Sequence, residues 1–119
     1  MAVVLIAEDA WMTRRMVSKA LQTNGHETLE ASNGCECLEM VSTCAPDCII
    51  LDLLMPEMDG LEVLAALNQQ HPRIPIIVMT ADIQETSRQR CLNLGAAAVI
   101  NKPLESEILL NELQKVLGW

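Results

Sequence analysis

Cys48-Ile49-Ile50-Leu51-Asp52-Leu53-Leu54-Met55-Pro56-Glu57-Met58-Asp59-Gly60-Leu61 carries the signals from which the fold can be read. Its first four residues form a continuous apolar run, which reads as a strand covered on both faces rather than one with a wet side. Asp52 interrupts that run with a charge. Asp59-Gly60 then punctuates the chain before Leu61–Gln70, a helical segment that stops ahead of Pro72. The stretch is one β-α unit with a carboxylate at the carboxyl end of its strand.

The same order recurs on either side. Val3–Ala7, Ile76–Met79 and Ala98–Ile100 are further continuous apolar runs, while Glu27–Ala31 alternates polarity as an edge strand would. Between them lie amphipathic segments. Trp11–Asn24 ends at Asn24-Gly25, and Asn33-Gly34 opens a helix that runs to Thr43. Ile83–Leu94 ends at Gly95, a position suited to a helix-terminating glycine, and Leu104–Leu117 follows Pro103. In the first helix Met12, Met16, Val17, Ala20 and Leu21 share a stripe expected to be buried, with Arg14, Arg15 and Lys19 off it. In the last, Leu104, Ile108, Leu109, Leu113, Val116 and Leu117 supply the stripe. Five β-α units with short connections predict right-handed crossovers. The expected class is α/β: a doubly wound, five-stranded parallel sheet in the flavodoxin-like order 2-1-3-4-5, with five helices.

Composition agrees. A chain of 119 residues, 50% hydrophobic and 20% charged, has room for one domain with a sizeable core and is not disordered. The core must be aliphatic, because Phe and Tyr are absent and Trp11 and Trp119 are the only aromatic residues. A formal charge of −8 makes direct nucleic-acid binding unfavourable. The five cysteines, Cys35, Cys37, Cys44, Cys48 and Cys91, contain no C-x-x-C pair, so they read as small buried hydrophobes in a reducing cytosol rather than as a zinc site. The apolar start Val3–Ala7 meets Glu8-Asp9 at once, too early for a signal sequence or a membrane span. The expectation is a cytoplasmic protein without membrane attachment.

In a doubly wound sheet, ligands bind at the carboxyl ends of the strands, near the switch point between the first and third. The polar residues there are Glu8-Asp9, Asp52, Thr80 and Lys102-Pro103. Each alone could be a solvated group or a helix cap; together, at the ends of four strands, they form a site. Three carboxylates about 4–5 Å apart repel by several kcal/mol per pair even at an effective dielectric constant near 20, so they need a hard cation or a proton. Mg²⁺ suits them, since it takes oxygen ligands from one or two carboxylates and a phosphoryl group. Lys102 offers a point charge to a phosphoryl oxygen, and the Thr80 hydroxyl can donate to another. Asp52 can attack phosphorus to give an aspartyl phosphate.

With these residues in view, the sequence resembles the receiver domain of two-component response regulators, in a chemotaxis-regulator-like form, over essentially its whole length. The matching stretches are Val4-Leu5-Ile6-Ala7-Glu8-Asp9 with Arg14 beyond, Asp52 to Gly60, Met79-Thr80-Ala81, Gly95-Ala96, and Lys102-Pro103-Leu104. The resemblance implies that Asp52 is the phosphoacceptor and that Glu8, Asp9, Asp52 and the Leu54 backbone carbonyl hold Mg²⁺. Thr80 would be the switch hydroxyl and Lys102 the phosphoryl-binding lysine. It further implies a cis Lys102–Pro103 bond, a hydrolytic water path flanked by Leu54 and Asp82, and a signalling position at Val99. Receivers commonly carry an aromatic ring there. The donor would be a sensor histidine kinase or a histidine phosphotransfer protein, and the downstream protein target is not legible. Residues 1–119 are expected to be a single receiver domain without an output domain, a phosphoacceptor signalling unit rather than an enzyme.

Two other classes fit less well. A flavodoxin-type electron carrier would need a phosphate cradle where the acidic Glu8-Asp9 stands. A Mg²⁺-dependent phosphohydrolase would need an acid two residues after Asp52, where Leu54 stands.

Overall fold

The computed structural model describes residues 2–55, 59–81, 84–102 and 105–118. The apolar runs are strands β1 (Val3–Ala7), β2 (Glu27–Ala31), β3 (Cys48–Asp52), β4 (Ile76–Thr80) and β5 (Ala98–Asn101). They alternate with helices α1 (Trp11–Thr23), α2 (Gly34–Cys44), α3 (Gly60–Gln70), α4 (Glu85–Asn93) and α5 (Ser106–Leu117). All neighbouring strands pair in parallel, in the order β2-β1-β3-β4-β5, as the sequence predicts.

Side-chain alternation splits the core into two layers. Leu5, Ala7, Ile49, Leu51, Val78 and Val99 face one side, where they meet Cys37 and Val41 of α2, Val63, Leu64 and Leu67 of α3, and Cys91 of α4. Val4, Ile6, Ile50, Ile77, Met79 and Ile100 face the other, against Val17 and Leu21 of α1 and Leu109 and Leu113 of α5. β3 and β4 are buried along their entire lengths because helices cover both of their faces. The Cα radius of gyration, 12.6 Å, is that of a tightly packed chain of this size.

Local chemistry sets the helix ends. Asn33 caps α2 by accepting from the Glu36 N–H at 2.8 Å, while the Glu36 carboxylate reaches back to Ser32. Asp59 caps α3 by accepting from the Leu61 N–H. Gly95, at φ +109°, ends α4 in the position expected of it.

Some details differ from the sequence reading. Met12 and Met16 are 63% and 68% exposed rather than buried, Ile108 of α5 is also exposed, and of the cysteines expected to be buried Cys35 and Cys44 face solvent. Val17 and Leu21 of the α1 stripe are buried as expected, and the inward face of α1 continues through Arg14 and Ser18. Polar partners on β2 explain the shift: Ser18 Oγ lies 2.7 Å from Thr28 Oγ1, and Arg14 pairs with Glu30. α4 and α5 begin at Glu85 and Ser106, two residues later than expected, because Gln84 and Glu105 keep extended backbones as their N-caps. Leu104, placed by periodicity in the buried stripe of α5, lies outside the described residues, as do Asp82, Pro103 and Trp119.

Candidate functional site

Strand register brings the chemistry to one edge of the sheet. Ala7 pairs with Leu51, Asp52 with Met79, and Thr80 with Asn101, so the residues ending these strands emerge together. Glu8 extends β1 by one step, its N–H donating to the Ala31 carbonyl at 3.0 Å. Its Oε2 then accepts from the Ala10 N–H at 3.4 Å as the chain turns into α1. Asp52 is held from its own loop, where Oδ1 accepts from the Leu54 N–H at 3.3 Å. The Gly60 N–H closes that loop by donating to the Leu53 carbonyl at 3.2 Å. A Cβ at residue 60 would lie 2.4 Å from Leu53 Cα, so only glycine allows this approach.

Glu8, Asp9 and Asp52 each offer a carboxylate oxygen, and these oxygens lie within 4.8 Å of one another. Glu8 is fully buried and Asp52 is 2% exposed, whereas Asp9 opens to solvent. Lys102 bridges the buried pair, with Nζ 2.8 Å from Glu8 Oε1 and 3.3 Å from Asp52 Oδ1. Burial pushes the Glu8 carboxyl above its ordinary range, and Asp52 raises it further against the opposing pull of Lys102. Burial also works against the charge on Lys102, but the hydrogen bond to Glu8 and the charges of Asp52 and Glu8 outweigh it, so the ammonium is held above its usual range. One ammonium against three carboxylates leaves a concentration of negative charge on hard oxygen donors, open to solvent through Asp9. A small divalent cation matches that donor set in charge and in ligand type.

The structure therefore assembles four of the expected residues in one cluster, Glu8, Asp9, Asp52 and Lys102. Thr80, buried at the end of β4, stands on the same edge. Leu54 contributes its N–H to Asp52 and leaves its side chain exposed. Val99 lies apart from the cluster, packed on the α3–α4 side of edge strand β5. Asp82 and the Lys102–Pro103 bond lie outside the described residues.

Sequence reasoning missed two arginine contacts. Arg14 Nη1 donates to the Glu8 carbonyl at 2.8 Å while its Nε donates to Glu30 at 3.0 Å. Arg88 of α4 donates to the Val99 carbonyl at 3.0 Å. The alternation of Glu27–Ala31 was the available signal for the first, since it sets Thr28 and Glu30 on the face that meets α1. The second had none, because it joins a polar helix position to a backbone atom.

Comparison with known proteins agrees with this geometry. The response regulator receiver domain family matches residues 4–114. The response regulator MprA of Mycobacterium ulcerans is 34% identical over 114 residues, covering 96% of this chain and 49% of that protein. MprA of Mycobacterium leprae is 35% identical with similar coverage. The chain thus spans about half the length of the curated relatives it matches. Among solved structures, the chemotaxis protein CheY4 of Vibrio cholerae superimposes with a TM-score of 0.92 at 36% identity, covering 98% of this chain and 99% of its own. The receiver domain of Francisella response regulator 1452 gives 0.94 at 25% identity, covering 99% and 98%. A family match across nearly the whole chain, on a fold whose strand ends gather these acids and this lysine, makes the chain a member of the response regulator receiver domain family of two-component signalling.

Proposed function

We propose that Asp52 accepts a phosphoryl group, in a Mg²⁺-dependent reaction, from a phosphohistidine of a sensor kinase or a histidine phosphotransfer protein, and that the resulting acyl phosphate changes what the chain binds. The observation that carries this reading is the buried Glu8–Asp52 pair, bridged by Lys102 and joined by exposed Asp9. An Asp52 carboxylate oxygen attacks phosphorus in line with the leaving imidazole. The O–P bond forms as the P–N bond breaks, and the electron pair of that bond returns to the ring nitrogen. Lys102, already within 3.3 Å of Asp52, takes a phosphoryl oxygen as its partner in the product. The Thr80 hydroxyl, at the neighbouring strand end, donates to a second oxygen and draws the segment after β4 inward. Glu8, Asp9, Asp52 and the Leu54 carbonyl would hold Mg²⁺, which neutralises charge on the transferring group.

A donor protein needs somewhere to rest beside Asp9. The exposed Trp11, Met12 and Met16 of α1 support an approach over that helix. A groove of about 490 Å³ between α1 and α5, with Lys102 in its lining, continues the same face. The chain is then a phosphoacceptor signalling unit of the cytoplasm, whose chemistry is confined to its own phosphorylation and dephosphorylation. Among the described residues no helix is long and apolar enough to cross a membrane.

Transfer from a panel of radiolabelled, autophosphorylated histidine kinases and phosphotransfer proteins tests the proposal. Label should move to this chain with Mg²⁺ and stay on the donor with EDTA. Failure of every donor, together with no labelling by acetyl phosphate, would overturn it. Continuous acetyl phosphate turnover without an adduct would instead favour a phosphohydrolase.

A further inference from the structure

We propose that Arg14, braced by Glu30 of β2, is a positioning residue for the Mg²⁺ ligands: it clamps the peptide unit between Glu8 and Asp9 and so sets where Asp9 presents its carboxylate. The inference rests on the metal-site reading above and extends it to residues outside the carboxylate cluster.

The two ligands are held differently. The Glu8 carboxylate is fixed directly, by Lys102 at 2.8 Å and the Ala10 N–H at 3.4 Å. Asp9 is exposed, so its place depends on the backbone that carries it. That backbone leaves Glu8 through a rigid peptide plane, which holds the Glu8 carbonyl and the Asp9 N–H as one body. On the near side, the Glu8 N–H is pinned by the Ala31 carbonyl at 3.0 Å. On the far side, the Glu8 carbonyl accepts from Arg14 Nη1 at 2.8 Å.

Arg14 is itself immobilised. It enters the first turn of α1 through its own N–H, which donates to the Ala10 carbonyl at 2.9 Å. Its Nε donates to Glu30 Oε1 at 3.0 Å, and its side chain is 16% exposed. Glu30 also receives Arg15 at 3.4 Å, but Arg15 is exposed and reaches no backbone atom of the ligand loop in any of these contacts. The planar guanidinium serves two acceptors in fixed directions, the Glu8 carbonyl and the Glu30 carboxylate, which the compact ammonium of lysine does not reproduce. Edge strand β2 thereby supports the metal ligands twice, through the Ala31 backbone and the Glu30 side chain. Partners of this outer kind commonly govern metal affinity by an order of magnitude or more.

Charge alone makes the opposite forecast for Arg14, though the same one for Glu30. Removing a cation beside a Mg²⁺ site should tighten binding, and removing the nearby Glu30 charge should weaken it. A clamp requires both changes to weaken binding, because each loosens the same peptide.

Mg²⁺ titration calorimetry of the wild-type chain and of Arg14→Ala, Arg14→Lys, Glu30→Gln and Arg14→Ala/Glu30→Gln separates these cases, with metal-free thermal melts as the control for folding. Mg²⁺ should bind roughly 10-fold more weakly to Arg14→Ala and also more weakly to Glu30→Gln. The double variant should be no worse than Arg14→Ala, since Glu30 acts through Arg14. Arg14→Lys should recover only part of the loss. Unchanged or tighter binding in Arg14→Ala, or full recovery in Arg14→Lys, would overturn the clamp. If Arg14→Ala does not fold, wild-type affinity in Glu30→Gln would overturn it instead. Absence of Mg²⁺ binding in the wild type would overturn the metal reading itself, a distinguishable result.

Discussion

Leu54 stands two residues beyond Asp52, with its N–H on the Asp52 carboxylate and its side chain 69% exposed. The resemblance implies that hydrolytic water would reach an acyl phosphate on Asp52 from that side, where an isobutyl group offers it no hydrogen bond. Leu54→Asn should therefore shorten the phosphorylation lifetime several-fold. Asp82→Ala should lengthen it, if that carboxylate orients the water as the resemblance implies. Decay of radiolabelled protein after donor removal measures both, and unchanged rates in both variants would place hydrolytic control elsewhere. The cysteines permit a second test at this scale. Burial pushes the thiols of Cys37 and Cys48 up to about 12. At pH 8 both thiols then stay protonated, so a thiol reagent should modify exposed Cys35 and Cys44 quickly and leave Cys37 and Cys48 for the unfolded state. Stability follows with a definite sign. Between the ordinary thiol value of 9.0 and about 12 the unfolded chain releases these protons and the folded chain keeps them, so stability falls as pH rises through that window. Urea melts at pH 8 and pH 10.5 should show a smaller alkaline loss in Cys37→Ala/Cys48→Ala than in the wild type.

Among the elements, the loop from β3 to α3 and helix α4 differ in how tightly they are held. Gly60 touches the Leu53 backbone so closely that Gly60→Ala must move the loop that also carries Leu54 and the Asp52 contact. That variant should lose about 2 kcal/mol in urea melts and should also be phosphorylated more slowly. Wild-type stability would mean that the loop yields at little cost. α4 has Cys91 as its only buried residue and reaches β5 through the Arg88 bond to the Val99 carbonyl. Val99 is short and stiff, so the switch proposed for Thr80 would move no ring across this face. Beryllofluoride should therefore alter hydrogen exchange around residues 84–100, as α4 shifts against β5. Changes confined to the turn from β1 into α1 would contradict this. These elements also mark where the sequence was legible. Strands covered on both faces announce themselves as unbroken apolar runs, and Gly95 and Asp59 are local signals with local consequences. In α1 Val17 and Leu21 are buried as expected, but Met12 and Met16 were misplaced because methionine and leucine count alike in a periodicity. Only the partners Thr28 and Glu30, on a different element, show which side turns inward.

At the scale of the whole molecule, a two-layer aliphatic core holds five strand ends in register, and the site is a product of that register. This is why Glu8, Asp9, Asp52, Thr80 and Lys102 could be chosen from the sequence once the strand order was inferred. The contacts through Arg14 and Arg88 could not, because they depend on side-chain reach between elements. The distribution of the two tryptophans gives an optical handle on the site: Trp11 begins α1 two residues after Asp9, and Trp119 is the last residue of the chain. Mg²⁺ and then beryllofluoride should change emission in Trp119→Leu as in the wild type. Retention of the full response in Trp11→Leu would show that the α1 start does not sense the site. The central claim, that Asp52 receives the phosphoryl group, is tested most directly by acetyl phosphate labelling with Mg²⁺, followed by intact-mass measurement of the wild type and Asp52→Asn. The wild type should gain one phosphate, labile in both acid and base, and Asp52→Asn should gain none. Stoichiometric labelling of Asp52→Asn would contradict the assignment.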